Sequence, residues 1–302
     1  MAPFLLLAFL IPFYLHSGRS MYQRLAFALV FLIIAGFVSF QVIFTVPEQP
    51  QIVTQTGMNI TQDIRCMEFN KPQAIDKNGE LNVLVWNIYK QNRDNWQEAL
   101  DAFSANKQLL LLQEASLTDE FKNWLVEGHW MSNQVSAFKA LGSGAGVISI
   151  AQKEPIRACA YTSKEPWLHL PKSALYSKYQ LSNGETLAVV NIHAINFTVG
   201  TEEYTSQLSG LEMVLKEHKG PILFAGDFNS WSEDRVKAMK TALQKADLQE
   251  AKFSQDNRTQ FITGLPLDHV FYRGLTLKNA KAPQSDASDH NPLLVSFTLN
   301  DQ

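Results

Sequence analysis

From Leu81 to the end of the chain, short apolar runs alternate with apolar stripes at helical spacing, and this confines the fold to layered α/β architectures. Residues 81–86, 109–112, 146–150, 187–192, 222–225, 269–272 and 293–297 have strand length, and most have strand composition. The run 109–112 is all leucine, which by itself does not separate strand from helix. Between the runs, Trp96, Ala99, Leu100 and Phe103 share one helical face, as do Phe121, Trp124 and Leu125. Tyr204, Leu208, Leu211 and Leu215 form a third such stripe, and Val236, Met239 and Leu243 a fourth. These stripes are surfaces that pack on a sheet.

The first 46 residues are different. They contain no Asp or Glu, and Arg19 and Arg24 are their only basic residues. Residues 25–46 form an apolar run of about 22 residues, roughly 33 Å as a helix, closed by Pro47. An earlier run, residues 2–15, is about 14 residues long and holds Pro3 and Pro12, marginal for spanning a bilayer. The expectation is a membrane anchor of one or two helices over 1–46, a linker leading into the domain over 47–80, and a globular domain over 81–302. The positive-inside rule keeps the arginine-bearing link in the cytoplasm and puts the globular domain on the far side. The bulky stretch 36–41 offers no Ala-x-Ala-like cleavage site, which favours a retained anchor over a signal peptide.

All 29 acidic residues lie beyond residue 46, facing 24 of the 26 basic ones. That acidic balance counts against a surface built on many phosphate-backbone contacts. Cys66 and Cys159 are the only cysteines, with no zinc-type spacing. They are either packed or free thiols, or a single disulfide in an oxidising compartment.

Polar residues cluster at the ends of the expected strands: Asn87, Glu114, His193, Asp227 with Asn229, Asp268, and Asp289 with His290. There a rigid sheet can fix them while loops admit a substrate. Singly, each has an ordinary reading, as a turn residue, an Asx-turn or a core histidine. Gly142-Ser143-Gly144-Ala145-Gly146 lacks the lysine of a phosphate loop and reads as a turn into a tightly packed strand.

As an ordered set, these residues resemble the endonuclease/exonuclease/phosphatase superfamily, over roughly residues 80–298. The pairing of Gly226-Asp227-Phe228-Asn229 with Ser288-Asp289-His290 is its most specific part. Residues 84–90 (Leu-Val-Trp-Asn-Ile-Tyr-Lys) and 190–197 (Val-Asn-Ile-His-Ala-Ile-Asn-Phe) are similar to the bacterial YafD-like group. The resemblance implies a four-layered α/β/β/α sandwich and divalent-metal catalysis. It makes Glu114 the main magnesium ligand, with Asn87 and Asp289 nearby and manganese as a substitute ion. Asp227 would orient or deprotonate the attacking water, and Asn229 would bind the phosphate, aided by Asn87 and His193. His193 and His290 would stabilise charge on the phosphoryl oxygens, with Asp268 supporting His290. Magnesium suits such a site because it prefers oxygen ligands and is held by one or two carboxylates plus substrate phosphate.

The expected function is a membrane-anchored, metal-assisted phosphoesterase acting on a phosphodiester or phosphomonoester of nucleic acid, phospholipid or sugar phosphate. The alternative is a catalytically silent, membrane-tethered binding module on the same fold. Tyr89 stands where abasic-site endonucleases typically carry Asp or Asn, and those enzymes lack the histidine found here as His193, which weakens a DNA-repair reading. No obligate protein partner is inferred. The expected location is the bacterial inner membrane with an extracytoplasmic domain, the cytoplasmic face being the alternative.

Overall fold

A computed structural model describes residues 21–140, 143–166 and 170–300. The chain divides into two compact units, Met1–Thr45 and Val46–Gln302. In the first, helix α1 (Met21–Ile43) exposes Leu25, Leu29, Leu32 and Ile33. The side chains at 37 and 40–42 lie outside the described residues, and among the described residues no helix is long and apolar enough to cross a membrane. The structure therefore does not support the membrane anchor expected over 1–46, and the earlier apolar run lies outside the described residues.

The second unit holds two mixed sheets. Its strands are β1 (Gln51–Thr56), β2 (Asn59–Ile64), β3 (Cys66–Glu68), β4 (Glu80–Asn87), β5 (Leu109–Ser116), β6 (Met131–Ala140), β7 (Ser143–Ala151) and β8 (Arg157–Lys164). They continue as β9 (Pro171–Gln180), β10 (Thr186–His193), β11 (Ile222–Asp227), β12 (Gln249–Glu250), β13 (Gln255–Asp256), β14 (Asp268–Arg273), β15 (Leu275–Ala282) and β16 (Leu293–Leu299). One sheet runs β13-β15-β16-β4-β5-β7-β6-β1-β2, the other β12-β14-β11-β10-β9-β8-β3.

Alternation along the strands builds the layers. Leu81, Val83 and Val85 of β4 and Leu109 and Leu111 of β5 meet Leu187, Val189, Leu223 and Ala225 of the other sheet in one buried core. The intervening Leu84, Trp86, Leu110 and Leu112 face outward and pack under helices α2 (Trp96–Ser104) and α3 (Asp119–Glu127). On the second sheet, Val190, Ile192, Ile222 and Phe224 pack under α4 (Glu202–Lys216) and α5 (Glu233–Gln244). The order of layers is thus helix, sheet, sheet, helix. The all-leucine run is a strand buried on both faces, which is why it shows no polar alternation.

Residues 51–68, expected to belong to the linker, form β1 to β3. Ile52 is fully buried with Val135, Val147, Ala158 and Leu175, so it belongs to the core between the sheets. The polar residues that concealed this are on the edge strand β2, exposed throughout. Cys66 and Cys159 are register partners on β3 and β8 and form a disulfide. Gly146 lies in β7, where a Cβ would sit 1.9 Å from the Val135 carbonyl oxygen, in keeping with a close strand approach.

Candidate active site

The two sheets end together at one rim. Parallel pairing of β10 with β11 makes His193 the register partner of Asp227, and antiparallel pairing of β11 with β14 makes Asp227 the partner of Asp268. Close approach is possible there because Gly226, at φ 142°, lacks a Cβ that would stand 2.0 Å from the Ile192 carbonyl oxygen. In the other sheet, parallel β4 and β5 bring Asn87 and Glu114 to the same rim. Below it, Gln113 Nε2 donates to Asn191 Oδ1 at 2.7 Å, and Asn191 Nδ2 donates to the Leu112 and Ile148 carbonyls. This buried amide pair ties the sheets together directly under the polar cluster.

Asp227 is central and buried. Its Oδ1 accepts the Asn229 N–H at 2.9 Å and its Oδ2 accepts Asn87 Nδ2 at 3.0 Å. His193 Nε2 lies 3.5 Å and His290 Nε2 4.0 Å from that same Oδ2. His290 Nδ1 donates to Asp268 Oδ2 at 2.7 Å. Asn229 is held left-handed at φ 47°, and its side-chain Nδ2 donates to the Ala194 carbonyl. Glu114 Oε1 is 3.9 Å from His193 Nε2. Asp289 is exposed, its Oδ1 3.3 Å from Ser288 Oγ. The rim thus joins Asn87, Glu114, His193, Asp227, Asn229, Asp268 and His290, while Asp289 stands at its exposed margin.

The two histidines are tuned in opposite directions. Burial depresses His193 and the Lys172 ammonium depresses it further, so that its pKa is about 4 despite Asp227 and Glu114. Lys172 Nζ is 2.9 Å from His193 Nε2. An ammonium only donates, so Nε2 accepts and the neutral ring carries its proton on Nδ1. Burial would also depress His290, but Asp268, Asp227 and Asp289 outweigh it and hold the pKa at about 10. Burial would raise Glu114, but His193, Lys90 and Lys172 outweigh it and bring it to about 2. At neutral pH the site therefore offers carboxylates, a neutral imidazole and an imidazolium.

Sequence reasoning missed the residues that hold this arrangement. Lys90 Nζ pairs with Glu114 Oε2 at 2.6 Å. Arg235, fully buried although it lies on an otherwise apolar helix face, donates to the carbonyls of Ile195, Asn196 and Asn229 and to Thr198 Oγ1. It stacks on Tyr204 and Trp231 and fastens the loops after His193 and Asp227 to each other. Ser288 Oγ donates to the Asn87 carbonyl at 2.6 Å, and Trp86 Nε1 donates to the His290 carbonyl at 2.7 Å, seating the last loop on β4. Arg235 stands between Asp234 and Val236 in the sequence, and nothing in that local setting marks it.

The donor set suits a hard divalent cation. Asp227, Asp268 and His290 bring polar atoms within 4.8 Å of one another, and Asp268 Oδ1 is buried with no hydrogen-bond partner among the described residues, but His290, held cationic by Asp268, has no lone pair to give a metal. Glu114 adds a further ionised carboxylate. This compact group differs from the Glu114, Asn87 and Asp289 set implied by resemblance, and only Glu114 of that set is a partly buried carboxylate facing the cluster.

Residues 84–290 match the Endonuclease/Exonuclease/phosphatase family. The chain is 93% identical over 282 residues to a UPF0294 protein of Vibrio campbellii, covering 93% of this chain and 100% of that protein. It is 54% identical to a UPF0294 protein of Vibrio vulnificus, covering 93% and 98% respectively. Among solved structures it is similar to an endonuclease/exonuclease/phosphatase from Beutenbergia cavernae, with TM-score 0.60 and 14% identity over 74% of this chain and 72% of that one. The human Nocturnin catalytic domain with bound sulfate anion gives 0.57 and 17%, over 74% and 96%. D. rerio TDP2 complexed with single-strand DNA product gives 0.54 and 16%, over 73% and 100%. Identities this low speak to the fold alone.

Proposed function

The chain belongs to the endonuclease/exonuclease/phosphatase family, and from that premise we propose that it hydrolyses a phosphoester by attack of an activated water, assisted by a divalent cation. The observation that carries this reading is the meeting of Asp227, the Asp268–His290 pair and neutral His193 at one rim, with two oppositely tuned histidines about one carboxylate. Asp227 is the general base: Asn229 N–H and Asn87 Nδ2 fix both of its oxygens, so it can take the proton of a water without reorienting. His290, kept cationic by Asp268, donates to a phosphoryl oxygen as charge builds in the transition state. Neutral His193 accepts from the Lys172 ammonium at Nε2 and holds that cation beside the cluster, and Asn229 orders Asp227 through its backbone. A magnesium or manganese ion held by Glu114, with Asn87 nearby in the rim and Asp289 at its margin, would neutralise phosphate charge.

Full-length protein with magnesium should hydrolyse a bis-aryl phosphate. A panel of DNA, RNA, sphingomyelin and inositol phosphates then sorts nuclease from lipid or sugar-phosphate esterase. Asp227→Asn should lower turnover by about 10²–10⁴ with metal affinity little changed. Full activity in Asp227→Asn, or in chelator, would refute this assignment.

The reading extends to location. The apolar residues exposed along α1 and the acidic-free first 46 residues support attachment to the inner membrane. The Cys66–Cys159 disulfide supports an extracytoplasmic domain, since such bonds persist in oxidising compartments.

A further inference from the structure

We propose that Lys90 is a tethered cation that competes with the divalent ion for Glu114, so that metal loading requires its ammonium to be displaced. The proposal rests on the reading of Glu114 as a metal ligand. Three observations carry it. The first is contact: Lys90 Nζ is 2.6 Å from Glu114 Oε2, a charge-assisted bond to a carboxylate only 20% exposed.

The second is that the chain is bent to put it there. Tyr89, Lys90 and Gln91 have φ of 49°, 55° and 55°, three consecutive non-glycine residues in the left-handed region, and Glu114 itself is at 51°. Each such residue costs about 1 kcal/mol or more, and a run of them persists only where the surroundings enforce it. The surroundings do so on both sides. Tyr89 N–H donates to Asn87 Oδ1 at 3.2 Å. Gln91 Nε2 donates to the Ser116 carbonyl at 2.9 Å while Gln91 Oε1 accepts the Ser116 N–H at 3.1 Å. The amide of Gln91 thus grips β5 two residues past Glu114 and suspends Lys90 over the carboxylate. An incidental surface ion pair needs none of this and is worth about 1 kcal/mol or less.

The third is exclusion. A magnesium ion sits about 2.1 Å from a carboxylate oxygen. An ammonium on the same carboxylate would then lie within a few ångströms of it, and the two cations repel. Lys90 is 43% exposed on a flexible stem, so it can swing into solvent when the ion arrives, whereas the part-buried Lys172 contacts His193 and acts on Glu114 only from a distance.

Manganese titration of the full chain in detergent, by calorimetry, reads this without any substrate. Lys90→Met and Lys90→Gln should bind the ion about tenfold more tightly than wild type, because a direct competitor is gone. Lys90→Arg, which keeps the charge, should stay within about threefold of wild type. Glu114→Gln should weaken binding in both the wild-type and the Lys90→Met backgrounds. Equal or weaker binding in both Lys90→Met and Lys90→Gln, with Glu114→Gln still weakening it, overturns the role of Lys90 alone. Binding untouched by Glu114→Gln overturns the assignment of Glu114, and the competition with it. Circular dichroism of each variant confirms that the comparison is between folded proteins.

Discussion

At the scale of single residues, the contrast between the two histidines follows from what each one touches. His193 meets an ammonium, which adds to the depression that burial causes, and His290 meets a carboxylate, which overrides it. The folded pKa of His290, about 10, stands above its ordinary value of about 6.5. Its ion pair with Asp268 therefore contributes fully below about pH 6.5, and the contribution is lost as the pH climbs through about 10. If catalysis needs the imidazolium, activity falls on the alkaline side with that loss. In Asp268→Asn the raising partner is gone and burial depresses the ring, so the alkaline limb of the pH–rate profile should move to lower pH. An unchanged limb would show that the proton on His290 does not matter to the reaction.

The elements matter through their ends. Strands β10 and β11 fix His193 and Asp227 by register, but the chain that leaves them is loop, with no ladder to hold it. Arg235 replaces that ladder, satisfying carbonyls of both loops from inside α5. Arg235→Met keeps the apolar bulk and strips the donors, leaving several buried carbonyls unpaired. Unfolding in urea should show a loss of about 2–4 kcal/mol, and turnover should drop with it because Asn229 loses its anchor. A stability within about 0.5 kcal/mol of wild type would show that water replaces the guanidinium without cost.

For the molecule as a whole, the consequential feature is that residues 51–68 are part of the sandwich. The Cys66–Cys159 bond ties β3 to β8 across 93 residues of chain, and Ile52 fills the space between the sheets. Cys66→Ala with Cys159→Ala should cost about 2–4 kcal/mol of stability, read as a lower denaturant midpoint. The same bond reports the compartment. If the domain lies outside the cytoplasm, both thiols should resist alkylation in cells lysed under denaturing conditions until a reductant is added. Ready alkylation of both would place the domain in the cytoplasm. A fragment starting at residue 75 would lose Ile52 and the disulfide together, whereas the compact unit beginning at Val46 keeps both.

The sequence by itself determined the layered fold and the polar rim, because both are written in local terms. Period-two and helical apolar spacing are readable within a few residues, and Asn87, Glu114, His193, Asp227 and Asn229 follow the end of an apolar run while Asp268 and His290 precede the start of one. It did not reveal that β1 and β2 are strands, since the polar residues of β1, although Thr54 and Gln55 are buried, and the exposed polar residues of β2 hide a hairpin that its neighbours in the sheet stabilise. Nor did it single out Lys172, Arg235 or the Gln113–Asn191 bridge. Lys172 acts on His193, 21 residues away, Gln113 on Asn191, 78 away, and Arg235 on Ile195, 40 away, and nothing in their own surroundings marks them. Which histidine is charged was likewise decided only by tertiary structure. A pKa depends on burial and on the charge across a few ångströms of space, and the chain order of His193 and His290 carries neither.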